Sequence, residues 1–210
     1  CTFDDLESIN KVKKPILITF DDGYLENYTE IFPIVKKYNA KITIFLIISS
    51  VNPSGLTEKM IKEMSDSGLV KFESHTLSHP SLISASSNPE LLEREISESK
   101  TKIEDITGVP VVALSYPNGE FNSAVKECTA KYYKYGVRKD LGMHNTSYDN
   151  FEVRRIRVNR STSIGNYMDM IETNWFFNLH KTYVFNIKLC YNLVCSKKFL
   201  ISYYAKILLI

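Results

Sequence analysis

Short apolar runs alternate with longer amphipathic stretches through most of the chain, and this alternation sets the expected fold. Pro15-Ile16-Leu17-Ile18 is brief, apolar and bounded by turn residues, so it reads as a buried strand running into Thr19-Phe20-Asp21-Asp22-Gly23. Asn27–Tyr38 places Tyr28, Ile31, Ile34, Val35 and Tyr38 near helical spacing, with Pro33 kinking or splitting the helix. Lys41–Ile48 is a second buried strand, and Asn52-Pro53-Ser54-Gly55 is a loop. Thr57 has the character of an N-cap for a helix whose apolar face is Met60, Ile61 and Met64, with Gly68 at its C-terminal end. Leu69–Glu73 is a third strand that ends on Ser74-His75. Asn88 and Pro89 open a long helix with Leu92, Ile96, Ile103 and Ile106 on its buried face, and Gly108 ends it. Val111–Leu114 is a fourth strand, which leads into Ser115-Tyr116-Pro117-Asn118-Gly119. Regular strand–helix alternation predicts a parallel α/β sheet or barrel. The chemically loaded residues fall just after strands one, three and four, where parallel folds present their sites.

Composition changes this picture little. The chain has 210 residues, 44% of them hydrophobic and 24% charged, which suits one large globular domain. A net charge of +2 supports no nucleic-acid partner. The four cysteines, at positions 1, 128, 190 and 195, form no C-x-x-C pair, so no zinc ribbon or thioredoxin-type site is expected. Cys128 reads as a small core residue on a helix.

The candidate chemistry starts at Asp21-Asp22. Side chains alternate along a strand, so one carboxylate can bind a metal while the other faces the bound water. Taken alone, the pair reads more simply as a turn that solvates the strand's end. His75-Thr76-Leu77-Ser78-His79 changes the balance: two of the chain's four histidines sit four residues apart, directly after a strand, at ligand spacing. Asp22, His75 and His79 together give the ligand count of a catalytic metal site with an open position. Asp21 is then placed to take a proton from water, and a backbone N–H in the Tyr116–Gly119 turn could hold an oxyanion. These parts describe metal-assisted acyl hydrolysis.

Thr19–Gly23, His75–His79 and Tyr116–Gly119 resemble, in order and spacing, three motifs of the polysaccharide deacetylase family (carbohydrate esterase family 4). The resemblance covers residues 2–172 and implies a distorted (β/α) barrel of seven to eight strands, incomplete at its N-terminal end. It implies hydrolysis of N-acetyl groups from N-acetylglucosamine-containing polysaccharide such as exopolysaccharide, peptidoglycan or a chitin-like polymer. Carried over by position, Asp21 is the general base, and Asp22, His75 and His79 hold a divalent metal, Zn²⁺ before Co²⁺, Ni²⁺ or Fe²⁺. Tyr116 supplies the oxyanion N–H, and Thr76, Tyr116 and Pro117 contact substrate. The expected partner is an N-acetylated glycan polymer, and the expected location is extracellular or at the cell surface.

The departures from the family pattern also carry expectations. The arginine that many relatives place before the third motif is missing, since Ala113, Leu114 and Ser115 stand there. Two readings stand for Arg155: it approaches Asp21 in that arginine's place, or it is a strand residue with a solvated head like Arg154 and Arg157. The family's late general acid has no convincing counterpart; Leu179-His180 is the late candidate, and His144 reads as a loop residue. Thr2–Leu6 resemble the end of a segment that precedes the first motif, so the chain reads as starting inside its domain rather than at a lipid-modified Cys1. Residues 173–210 form an atypical tail with no Asp or Glu, rich in Lys and aromatics. Sequence foreign to the family is the preferred reading of that tail, over an interfacial membrane anchor. Two rival functions remain open: a glycan-binding relative with weak or lost catalysis, and a hydrolase of small amides or imides.

Overall fold

The computed structural model describes residues 1–11, 15–139, 149–158, 163 and 205–209. His144 and His180 lie outside them. The parallel frame follows the apolar runs: β1 (Ile16–Asp22), β2 (Ile42–Leu46), β3 (Val70–Ser74), β4 (Ala113–Ser115) and β5 (Tyr135–Val137). They stand side by side in the order 5-4-3-2-1, every neighbouring pair parallel, and curl into a half-barrel.

The expected distorted barrel of seven to eight strands is corrected in shape rather than in strand number: the described residues form a five-stranded parallel half-barrel with a two-stranded antiparallel extension. Beyond β1 lies β7 (Ala205–Leu209), antiparallel to it, and then β6 (Ile156–Val158), antiparallel to β7. The physical reason is connectivity. Parallel neighbours need a crossover of a dozen or more residues, and the helices supply those crossovers only between β1 and β5. Just ahead of β6 the chain returns to β5, where the Val153 N–H donates to the Gly136 carbonyl at 2.9 Å. β7 lies within the segment 173–210 set apart in the sequence.

The helices cover the outer face. α1 (Phe32–Tyr38) starts at Pro33 in its first turn, after a single wide turn over Asn27–Ile31, so the proline splits this stretch in two. α2 (Glu58–Asp66) is capped by Thr57, whose hydroxyl accepts from the Met60 N–H at 3.3 Å. After the short α3 (Leu82–Ala85), α4 (Pro89–Thr107) is capped by Asn88 and ends at Gly108 in the left-handed conformation, φ 72°. α5 (Ser123–Tyr132) carries Cys128 into the core. Outward strand residues such as Ile18, Ile44 and Phe72 join Ile61, Ile96 and Ile103 in the main core. Inward residues meet a second cluster of Phe3, Leu17, Phe45, Tyr135 and Val137, which fills the closed end of the half-barrel.

One inward residue breaks the apolar pattern. Glu73 is fully buried, and its Oε2 accepts from the N–H groups of Val112 and Ala113, both at 2.8 Å, tying β3 to β4. Its other oxygen has no hydrogen-bond partner among the described residues. Burial pushes its carboxyl up to about 8, with the backbone donors and Lys71 only partly offsetting that rise. The folded value lies above the unfolded one, so between them the native state binds the extra proton. Stability from this group is fully present below the unfolded value near 4.5 and is lost as pH rises to about 8. Urea midpoints of the native protein should therefore fall between pH 5 and pH 8.5 relative to those of Glu73→Gln, which has no proton to lose. Parallel pH profiles for the two would contradict this account.

Candidate active site

Three strand ends converge at the open rim of the half-barrel. Asp22 ends β1 with φ 73°, and the neighbouring Gly23, also left-handed, lies so close to β2 that a Cβ there would meet Leu46 Cδ1 at 2.3 Å. Leu46 could shift to make room, so it is the left-handed backbone, φ 77°, that calls for glycine in this turn. Just beyond the end of β3, His75 is buried, and His79 follows after one tight loop. Asp22, His75 and His79 each offer a ligand atom, and these atoms lie within 4.8 Å of one another.

The arrangement fits a divalent metal on its own chemistry. His75 Nδ1 lies 2.7 Å from the Ser115 carbonyl. A carbonyl only accepts, so Nδ1 carries the proton and Nε2 faces the cleft as a lone-pair donor. Nε2 is 3.5 Å from Asp22 Oδ1 and 3.9 Å from Asp21 Oδ2. Burial lowers the His75 pKa to about 4, against the opposing pull of Asp21, so the ring is neutral at pH 7 as a ligand must be. The two histidine rings meet edge to face with centroids 4.7 Å apart.

Asp21 takes the other direction, toward the barrel axis, where Arg155 meets it. Nη1 donates to Oδ1 at 2.8 Å and Nη2 to Oδ2 at 3.1 Å. The remaining guanidinium donors go to Thr19 Oγ1 (3.1 Å), Ser115 Oγ (2.9 Å) and the Arg138 carbonyl (3.3 Å). Five donors meet five acceptors, and the guanidinium sits 5.2 Å from the centroid of the Phe45 ring. Arg155 is 1% exposed, so the solvated-head reading fails for it. Arg157, in contrast, is half-buried and lines the cleft.

The turn after β4 requires a second correction. The Tyr116 N–H donates to the Val137 carbonyl at 2.9 Å, continuing the β4–β5 ladder, and so does not face an oxyanion. Pro117 has no N–H, and Gly119 donates to the Tyr116 carbonyl at 2.8 Å. The turn's remaining backbone donor is Asn118, which lines the cleft at φ 58°, a conformation asparagine tolerates. Tyr116 does line the cleft, and its hydroxyl donates to the Phe151 carbonyl at 3.0 Å. Two expected substrate contacts are not in that lining. Thr76 is wholly buried and spends its hydroxyl on the His79 N–H at 2.9 Å; Pro117 is buried at the start of the turn. Tyr24, Asn27 and Lys139 complete the walls, and sequence reading did not single them out.

The polysaccharide deacetylase family model matches residues 8–137, which include Asp21, Asp22 and both histidines; Arg155 lies beyond it. YxkH of Bacillus subtilis (strain 168), whose name carries the same family, is 34% identical over 153 residues, 72% of this chain and 54% of that protein. The poly-β-1,6-N-acetyl-D-glucosamine N-deacetylase of Staphylococcus epidermidis is 28% identical over 70% of this chain and 55% of its own length. The chain thus spans about half the length of these curated relatives. Among solved structures, the Streptococcus pyogenes deacetylase PplD in complex with acetate superposes with a TM-score of 0.76 at 28% identity, over 82% of this chain and 79% of that one. A Bacillus cereus polysaccharide deacetylase gives the same TM-score at 32% identity, over 82% of this chain and 56% of its own. A match over more than half of the chain, on a fold shared with these deacetylases, makes it a member of the polysaccharide deacetylase family.

Proposed function

We propose that this chain hydrolyses N-acetyl groups on N-acetylglucosamine-containing polysaccharide at the outer surface of the cell, using a divalent metal, Zn²⁺ by preference. The observation that carries this reading is the pairing of a convergent Asp22–His75–His79 cluster with a second carboxylate, Asp21, held by a buried arginine. A purely structural metal site has no use for that second carboxylate. The relative from Staphylococcus epidermidis is named for action on an N-acetylglucosamine polymer, which supports the choice of substrate class.

Asp22, His75 through Nε2, and His79 would hold the metal. When bound, such an ion polarises an acyl carbonyl and lowers the pKa of a coordinated water. Asp21 accepts the proton of the attacking water, and Arg155, donating to both of its oxygens, fixes the direction of its lone pairs. The Asn118 N–H would be the donor to the oxyanion that develops on the acetyl oxygen, since Asn118 lines the cleft. The proton taken by Asp21 balances the one that the departing sugar amine must receive. Tyr24 and Tyr116 offer aromatic surface along the cleft, and Lys139 and Arg157 offer donors for sugar hydroxyls.

The test is acetate release from N-acetylglucosamine oligomers by protein loaded with Zn²⁺, then stripped with a chelator, then reloaded. Release that stops on stripping and returns on reloading is the expected result. Tight metal binding without acetate from any N-acetylated glycan would favour a glycan-binding relative instead. Release from small amides or imides alone would move the substrate class.

A further inference from the structure

The loop that carries both histidines includes two strained positions: Thr76 and His79 both have positive φ, 70° and 60°. The local bonds are few: Ser74 Oγ accepts from the Thr76 N–H at 3.2 Å, and Thr76 Oγ1 accepts from the His79 N–H. The segment after β2 adds backbone bonds, the Ile48 N–H to the Thr76 carbonyl at 3.4 Å and the Ser49 N–H to the Leu77 carbonyl at 2.9 Å, and the side-chain grip on Ser78 comes from α4. Glu95 is 5% exposed, and both its oxygens close on Ser78: Oε2 accepts from the Ser78 N–H at 2.9 Å, and Oε1 from its hydroxyl at 2.7 Å. The Glu95 backbone carbonyl accepts from the Leu77 N–H at 3.2 Å. One turn further along the same helix face, Ser99 Oγ lies 2.8 Å from Ser74 Oγ. The loop therefore sits on α4, with a buried carboxylate gripping the residue just before the second histidine.

From this geometry we propose that Glu95 is a positioning residue for the metal centre. It acts through Ser78 to hold His79 at the angle from which it converges with His75 and Asp22. The proposal rests on the metal-site reading above and does not depend on the substrate. Its action is geometric. A glutamine at position 95 can still accept from the Ser78 N–H through its carbonyl oxygen while its amide donates to the Ser78 hydroxyl. An alanine removes both acceptors from Ser78, which is itself exposed, and leaves the strained loop free to relax.

Co²⁺ titration of the metal-free protein, read by visible absorption and calorimetry, tests this without any turnover. Glu95→Ala should weaken Co²⁺ binding by about 10–100-fold, the usual consequence of removing support behind a metal ligand. Ser78→Ala should weaken it less, and Glu95→Gln should stay within about threefold of the native protein. Thermal unfolding of each metal-free variant separates loss of fold from loss of site; if Glu95→Ala does not fold, the milder Ser78→Ala carries the test. Native Co²⁺ affinity in a folded Glu95→Ala would overturn the proposal. A Glu95→Gln as weak as Glu95→Ala would overturn the geometric account in favour of charge. A native protein that binds Co²⁺ tightly, depends on Glu95 and yet releases no acetate would defeat the deacetylase reading and leave the clamp standing. A native protein that binds no divalent metal would defeat both.

Discussion

Asp21→Asn should reduce kcat for acetate release by about 10²–10⁴-fold, the range a positioned general base supplies, while the Kd for Zn²⁺ or Co²⁺ stays within a few-fold of native. The asymmetry follows from the division of labour between the adjacent carboxylates. Asp22 turns into the cluster with His75 and His79, whereas Asp21 turns inward onto Arg155. Asparagine matches the size of Asp21 and can still accept one hydrogen bond from the guanidinium, but it cannot accept a proton from water. Steady-state kinetics and a metal titration on the same preparation check both halves. A parallel loss of metal affinity would make Asp21 a ligand and overturn the assignment; an active Asp21→Asn would remove it as base.

Replacing Arg155 should be the most damaging single change to the fold near the site. Arg155→Met leaves the Asp21 carboxylate buried without its counter-charge, together with the Thr19 and Ser115 hydroxyls and the Arg138 carbonyl that it now satisfies. Breaking a buried ion pair from one side costs about 3–5 kcal/mol, so the urea midpoint should fall sharply. In whatever fraction stays folded, Asp21 loses the fork that aims its lone pairs, so kcat for acetate release should fall as well. Arg155→Lys keeps the charge but has three donors for five acceptors and no planar fork, so it should recover part of the stability and little of the rate. An unchanged urea midpoint for Arg155→Met would show that this network contributes nothing to the native state.

What sequence reading could reach follows the range of each interaction. Asp21, Asp22, His75 and His79 were legible because each lies at the end of a recognisable strand, and the two histidines share one short loop. The caps of α2 and α4 were legible for the same reason: Thr57 and Asn88 act on residues three positions away. Arg155 was ambiguous because its partner is 134 residues distant, and a strand arginine with a solvated head has the same local pattern. The Tyr116 N–H, expected to face an oxyanion, is instead spent on the Val137 carbonyl. Which N–H of the 116–119 turn is already spent depends on how β4 pairs with β5, and a single sequence does not reveal that pairing. Thr76 was misread because nothing local announces a left-handed backbone at a threonine. Glu95 left a usable signal that went unused: with Ser99 it falls on the same helical stripe as Leu92, Ile96 and Ile103, where a charged residue needs a buried partner. The antiparallel β7 had no such signal, since its pairing with β1 joins residues far apart along the chain.

The distance between Asp21 and Arg155 also bears on the order in which the site comes into being. The metal cluster is gathered from a stretch of roughly sixty residues, β1 to the loop after β3, whereas the proton-accepting pair must wait for a segment 134 residues along. Closing the longer loop costs only about 0.8 kcal/mol more in chain entropy, so the separation hardly burdens the finished molecule. It acts on kinetics, where long-range contacts form late. The ligand cluster and the proton acceptor, adjacent in the sequence at Asp22 and Asp21, thus depend on loop closures of very different length.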